Sequence, residues 1–201
     1  RDPSSAASDV YKRQLIEFAS PKEKDFILTL KSRYNGDVNS SRVSLDIAYA
    51  EAMEALSSKY PDDTDAASLY AEALMNTMPW NYWAEDGNPK PDTIKVINTI
   101  ESVLDKDPNH PLAIHLYIHA VEASSDPGRA EEAADRLADL VPGAGHLVHM
   151  PSHIYWRVGR YEDASLANIA AAKVDEEYIA QCNAQGFYPA LYYPPVSYTH
   201  L

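Results

Sequence analysis

Five histidines of this 201-residue chain fall at spacings that place them on shared helix faces. His115 and His119 are four residues apart, His149 and His153 are four residues apart, and His146 precedes the second pair by three. Residues i and i+4 lie on one face of an α-helix, so each pair can direct two imidazoles to one point. Imidazole nitrogens bind transition metals and also form hydrogen bonds in polar grooves. The spacing therefore predicts a metal site, a binding groove, or histidines bonded within the core.

The first pair lies on a predicted helix, 111–124, that is apolar around nearly its whole circumference. Its one narrow polar stripe consists of His115, His119 and Glu122. A helix that is apolar on most sides is buried in the protein. Because a buried polar group without a partner is costly, we expect this stripe to face a specific partner or a wet groove.

The two histidine pairs belong to a repeat of 34 residues. Segments 111–144 and 145–178 each read as a helix, a short turn and a second helix. An offset of 34 places His115 on His149 and His119 on His153, and it places Glu122 on Trp156. We therefore expect the two pairs to lie side by side on adjacent first helices, at the 8–10 Å spacing typical of packed helices.

An earlier copy of the repeat begins near residue 64. Its stretch "ASLYAEALM" (67–75) resembles "IHLYIHAVE" (114–122), and it places Ser68 and Glu72 at the positions of His115 and His119. Pro61 and Pro108 are 47 residues apart, which is 13 more than one period. The excess predicts an inserted loop at 78–91, which contains "PWNYW" and is a candidate lid or a cover for the space between two helices.

The repeat length and helix layout resemble the tetratricopeptide repeat family over most of residues 21–181. The stretch "GRYEDA" supplies a glycine, an aromatic residue and a small packing residue at Gly159, Tyr161 and Ala164. The chain departs from the family's usual residues at Val148, Pro151 and Ser152. It also resembles a group of bacterial tetratricopeptide-repeat proteins of uncharacterised role. The resemblance implies an all-α fold, a right-handed superhelical α-solenoid whose first helices line a concave groove.

Composition limits the classes of partner. The net charge of −13 argues against nucleic acid and anionic membranes, because both attract basic surfaces. The one cysteine, Cys182, excludes an intramolecular disulfide and a cysteine-based zinc cluster. No apolar run has the length of a membrane span, and we expect a cytoplasmic protein. Residues 1–14 and 196–201 resemble translated sequencing adapters, so the predicted repeat domain is 15–195.

The sequence shows no strand alternation and predicts a series of helices. Their ranges are 21–34, 42–59, 64–77, 91–106, 111–124, 127–140, 146–158 and 160–181. Pro151 falls inside the seventh range, where proline removes a backbone donor and clashes with the preceding turn. Either a kinked helix continues through Pro151, or the helix starts there and leaves His146 and His149 on a loop.

The leading functional hypothesis is a repeat scaffold whose concave groove binds a protein or peptide segment, or a small polar ligand. Its predicted lining is Ser68, Glu72, His115, His119, Glu122, His146, His149, His153 and Trp156. The alternative is a metal-binding protein or metal-dependent enzyme that holds a divalent ion (zinc, iron or manganese). Its predicted ligands are His115, His119, His149, His153, Glu72 and Glu122. A third alternative is an architectural fragment of a longer array, and the sequence assigns no catalytic residue.

Overall fold

The computed structural model describes residues 16–37, 39–183 and 185. The predicted tails, 1–14 and 196–201, lie outside this range, as does the predicted domain's last stretch, 186–195. In the described part of the chain the fold is all-helical and contains no strand, which confirms the predicted fold class at that level. None of the helices among these residues combines the length and the apolar character that crossing a membrane requires.

The helices follow the predicted ranges closely. They are α1 (Pro21–Arg33), α2 (Arg42–Lys59), α3 (Thr64–Thr77), α4 (Pro91–Lys106), α5 (Pro111–Val121), α6 (Glu131–Leu140), α7 (Gly145–His149), α8 (Pro151–Val158) and α9 (Tyr161–Cys182). A short 3₁₀ helix, Pro127–Ala130, leads into α6. Helix α5 ends three residues earlier than predicted, and Ser124 N–H instead forms a turn with the carbonyl of Val121.

Capping residues account for several of these boundaries. Ser20 and Glu23 form a capping box at the start of α1, which satisfies two backbone donors that a helix leaves open. Proline opens α1, α4, α5 and α8, where its missing N–H has no cost. Asp126 precedes the 3₁₀ helix, but its side chain makes no capping hydrogen bond.

The chain divides into two compact units at the end of α3, residues 1–77 and 78–201. In the first unit α2 packs against both α1 and α3, and Met53, Leu56 and Ala66 are buried. In the second unit α5 packs against α4 and α6, and α9 packs against α7 and α8. Ile114 and Ile118 of α5 and Ile154 of α8 are fully buried there.

Pro151 divides the predicted seventh helix into two parts. Helix α7 ends at His149, and α8 begins at Pro151 in the first helical position, where proline is favoured. Met150 keeps right-handed helical dihedral angles between them (φ −52°, ψ −38°). A helix therefore starts at Pro151, which is one of the two predicted alternatives. His146 and His149, however, lie on a short helix of their own and not on a loop.

Burial in the second unit repeats with the predicted period of 34. Ile114, Leu116, Tyr117, Ile118, Ala120 and Val121 are buried, and so are Val148, Met150, Pro151, Ser152, Ile154 and Tyr155 at the corresponding positions. His115 and His119 are half-buried, as are their equivalents His149 and His153. Helix α5 and the α7–α8 segment therefore present matching faces to the core, even though proline interrupts the second of them.

Tyrosine–carboxylate hydrogen bonds also recur on α3 and α5. Tyr70 donates to Glu54 at 2.8 Å within the first unit, and Tyr117 donates to Glu101 at 2.6 Å within the second. Both pairs span 16 residues, and Tyr70 and Tyr117 are 47 residues apart. The same offset relates "ASLYAEALM" to "IHLYIHAVE", so the contacts agree with the alignment that predicted the inserted loop.

Candidate functional site

Six of the predicted site residues converge in the second unit. Helices α5 and α7 bring the Nε2 atoms of His115 and His146 to 3.2 Å from each other. Helices α7 and α8 bring the Nε2 atoms of His149 and His153 to 2.9 Å. Glu122 joins the second group, with its Oε2 atom 2.5 Å from Nδ1 of His153. We call these six side chains the histidine cluster: His115, His119, Glu122, His146, His149 and His153.

Two overlapping trios within the histidine cluster have the spacing of metal ligands. One ligand atom from each of His119, Glu122 and His153 lies within 4.8 Å of the other two. The same holds for His115, His119 and His146. His119 belongs to both trios, so it occupies the middle of the cluster.

Glu122 is the anion of the histidine cluster. Its Oε1 atom lies 3.3 Å from Nδ1 of His119, and its Oε2 atom faces His153. Burial favours the neutral carboxyl, but the hydrogen bonds with the two histidines outweigh it and lower the pKa of Glu122 to about 2. Arg157 Nε–H donates to the backbone carbonyl of Glu122 at 2.5 Å, which fixes the end of α5. Glu122 is therefore ionised and held in place at neutral pH.

Three of the histidines are held in the neutral form. Burial, reinforced by neighbouring histidines, lowers the pKa of His115 to about 3 and that of His146 to about 4. Burial also lowers the pKa of His149 to about 4, although its hydrogen bond with Asn168 acts in the opposite direction. A metal ligand must offer an unprotonated nitrogen, so these three imidazoles meet that condition near neutral pH.

A second layer of contacts orients His153. Its Nδ1 atom faces Glu122 and its Nε2 atom faces His149. His149 is held in turn through Nδ1, 2.5 Å from Oδ1 of Asn168 on α9. Asn168 is only 5% exposed. Metal-binding histidines commonly have their second nitrogen fixed in this way, which sets the ring orientation.

Helix α7 is seated against α9 at its first residue. The Cα atom of Gly145 faces the buried carboxylate of Asp175 so closely that any Cβ atom would overlap it. Val148 packs against Ala171 of α9 in the same region. The position of α7, and with it of His146 and His149, depends on glycine at residue 145.

Replacing Gly145 with alanine should therefore destabilise the second unit by about 1–3 kcal/mol, the usual cost of overpacking a filled site. Urea unfolding followed by tryptophan fluorescence measures the change. All three tryptophans (Trp80, Trp83 and Trp156) lie in the second unit, so their signal reports this unit. Gly143→Ala is the matched control, because nothing lies within 4 Å of its added Cβ. Equal stabilities for the two variants would contradict this account.

A pocket of about 540 Å³ opens beside the histidine cluster. His119, Glu122, His149 and His153 line it, whereas the residues that line its other sides include Trp80, Tyr82, Trp156 and Arg157. Trp80 and Trp156 are 73% and 65% exposed. The pocket therefore combines polar cluster atoms with accessible aromatic surface.

The inserted loop, residues 78–90 in the structure, contributes Trp80 to this pocket. Trp83 anchors the loop, because its Nε1–H donates to the carbonyl of Ala120 at 2.8 Å. Trp80 has a positive φ of 59°, which is rare for a large side chain, and its ring meets His119 edge to face at 5.1 Å. Unusual backbone of this kind is concentrated at functional sites.

Three predicted site residues lie outside the histidine cluster: Trp156 in the second unit, and Ser68 and Glu72 in the first. Trp156 lines the pocket and contacts Tyr161 at a ring separation of 5.1 Å. In the first unit, Ser68 is fully buried and donates to the carbonyl of Thr64 at 2.7 Å. Glu72 in that unit accepts a hydrogen bond from Asn76 at 3.3 Å. A common groove that joins these two residues to the histidine cluster stays a prediction.

Sequence reasoning missed Asn168 and Arg157. Asn168 lies on the alanine-rich face of α9, which the sequence presents as packing surface. An isolated amide on such a face was the available signal, since a buried amide requires a partner. No sequence signal indicates Arg157, because its contact is with a backbone carbonyl.

Comparison of the chain with protein-family models, with curated protein sequences and with solved structures gave no match.

Proposed function

We propose that the second unit binds a divalent transition metal through His119, Glu122 and His153. The observation that carries the proposal is the convergence of one nitrogen or oxygen atom from each residue within 4.8 Å, beside a pocket. Two imidazoles and one carboxylate are a ligand set found in catalytic zinc sites, which leave a fourth position open.

The spacing of the donor atoms supports this assignment. Zinc ligands at about 2.0–2.1 Å from the ion are about 3.3 Å from one another in a tetrahedral site. Nδ1 of His119 lies 3.3 Å from Oε1 of Glu122. Nδ1 of His153 is 2.5 Å from Oε2 of the same carboxylate. To admit an ion, the His153–Glu122 contact has to open, and the three donor atoms, now within 4.8 Å of one another, have to lie about 3.3 Å apart.

The residue types favour zinc or iron, with manganese as the harder alternative, because imidazole suits the first two and carboxylate suits the third. An ion with an open position supplies Lewis-acid polarisation of a bound oxygen or of water. Around it, Glu122 provides the negative charge, and His149 and Asn168 orient His153. Trp80 and Trp156 offer apolar surface for a ligand that enters the pocket.

The architecture we propose is a tetratricopeptide-like pair of repeats over 111–144 and 145–178. The matching burial at an offset of 34 supports this, as does the helix–turn–helix layout of both segments. First helices of such repeats line a concave surface, and the histidine cluster belongs to the two first-helix segments.

A metal-free groove is the second candidate function, and the pocket favours it. Its exposed Trp80 and Trp156, beside the polar atoms of the histidine cluster, suit a peptide segment or a small ligand with an apolar part and a polar part. The two candidates use the same side chains, but only the first requires an ion.

Zinc titration of the full chain, stripped with a chelator, tests the first candidate. We expect at least one equivalent to bind, and zinc at 100 times its Kd to raise the unfolding free energy by about 2.7 kcal/mol. The double variant His119→Ala/His153→Ala should lose both effects. His110→Asn is the matched control, because His110 caps α5 through Nδ1 and asparagine preserves that cap.

Binding of less than about a tenth of an equivalent of zinc, iron or manganese, with no thermal shift, would reject the metal site. The metal-free groove would then be the remaining candidate. Retention of full zinc binding by the double variant, with the fold intact by circular dichroism, would also reject the assigned ligands.

A further inference from the structure

The second trio, His115, His119 and His146, shares His119 with the proposed metal site, but its other two residues do not border the pocket. His115 and His146 are not among the residues that line the pocket. Their Nε2 atoms are 3.2 Å apart, and one ligand atom of His119 is within 4.8 Å of one from each. Three imidazole nitrogens therefore lie close enough to one another to be candidate ligands of one ion.

Two of the three ring pairs in this trio meet edge to face. His115 meets His119 at 4.8 Å and 69°, and it meets His146 at 5.1 Å and 87°. The third pair, His119 and His146, is stacked at 6.3 Å and 25°. Ring nitrogens lie on the edges of an imidazole, and the Nε2 atoms of His115 and His146 face each other directly.

His119 is the residue that connects this trio to the proposed site. Its Nδ1 atom faces Glu122, so its Nε2 atom is the nitrogen that remains for His115 and His146. One imidazole can bind two ions, one through each nitrogen, if it loses its N–H proton to solvent. With metal–nitrogen distances of about 2.0–2.1 Å, the two ions would be about 6 Å apart.

We propose that the second unit holds two metal ions, with His115 and His146 binding the second ion and the His119 imidazole joining the two. This inference rests on the proposed function, since it takes the His119–Glu122–His153 site as the first. The second ion has nitrogen ligands only, so it favours zinc or copper over manganese. It lies apart from the pocket and supports the first site through their common ligand.

Zinc stoichiometry of the full chain, measured by native mass spectrometry and calorimetry, tests the inference. The unaltered chain should bind two zinc ions, and His146→Ala should bind one. His115→Phe provides an independent variant that keeps the volume of a more deeply placed ring. His110→Asn should again bind two, which controls for the loss of a histidine as such.

Proton release supplies a readout that stoichiometry does not. Filling both sites of the unaltered chain should release one proton more in total than filling the single site of His146→Ala. The additional proton is the N–H proton of His119, which is lost only when this imidazole binds two ions. Calorimetry in two buffers with different ionisation enthalpies measures this difference.

The outcomes separate the two proposals. Binding of a single zinc by the unaltered chain, retained in His146→Ala, would overturn the second site and leave the first in place. Two zinc ions on both His146→Ala and His115→Phe would also overturn it. Binding of no zinc would remove both proposals together.

Discussion

Replacing Glu122 with glutamine is expected to lower the affinity of the second unit for zinc by more than about 100-fold. Loss of an outer-shell partner alone costs roughly 10–100-fold, and Glu122 is a proposed ligand and the only anion in the histidine cluster. Glutamine keeps the size of the side chain but removes its charge, and its nitrogen cannot accept a hydrogen bond. Competition with a chromophoric chelator measures the zinc Kd.

Glu85→Gln is the matched control for this change. Glu85 is exposed in the inserted loop of the same unit, so the variant removes the same charge without touching the histidine cluster. Its zinc affinity should remain within about twofold of that of the unaltered chain. A similar Kd for the two variants would show that Glu122 is not a ligand.

The metal-free second unit is expected to lose stability steeply below about pH 6. His115, His146 and His149 have folded-state pKa values of about 3, 4 and 4, below the ordinary histidine value of 6.5. The unfolded chain therefore binds protons on these residues that the folded chain does not. Each contributes up to about 1.4 kcal/mol per pH unit, so three give up to about 4 kcal/mol per pH unit.

The direction of the pH effect on the unfolding free energy depends on which state, folded or unfolded, binds more protons. Above about pH 6.5 both states leave these histidines neutral, and their contribution is constant. As the pH falls from 6.5 toward 4, the unfolded state takes up protons first and the fold is progressively weakened. Glu122, whose pKa is about 2 in the fold, adds a further loss below its unfolded value near 4.3.

Urea unfolding of chelator-stripped protein at pH 7.5, 6.0 and 5.0 measures this dependence. Tryptophan fluorescence is the appropriate signal because the three tryptophans belong to the second unit. His146→Gln should make the dependence shallower by up to about 1.4 kcal/mol per pH unit, since it removes one proton-binding group. A flat profile between pH 7.5 and 5.0 would contradict the neutral, buried histidines.

The sequence was sufficient to predict the helices and the approach of most of the residues in the histidine cluster. Apolar periodicity and the prolines at helix starts are local signals, and α2, α3 and α4 have the predicted bounds. The 34-residue offset predicted that His115, His119, His149 and His153 approach one another. The rings of His115 and His119, of His119 and His153, and of His149 and His153 do lie 4.8–5.6 Å apart. A sequence offset carries information about pairs of helices that no single helix contains.

Other parts of the site depend on tertiary packing and could not be predicted. His146 was an expected groove residue, but its approach to His115 depends on the break at Pro151 and on the seat of Gly145 against Asp175. Asn168 comes from a different helix of the same unit. Neither spacing along the chain nor residue type specifies which amide will meet His149.

The shortness of α7 has a consequence for how the second unit responds to ligands. A five-residue helix cannot sustain itself by its own hydrogen bonds, so its order derives from what its side chains touch. His146 points to α5 and His149 to α8 and α9. An ion bound by both His146 and His115 would hold α7 against α5. The order of this short helix is thereby coupled directly to occupancy of the site.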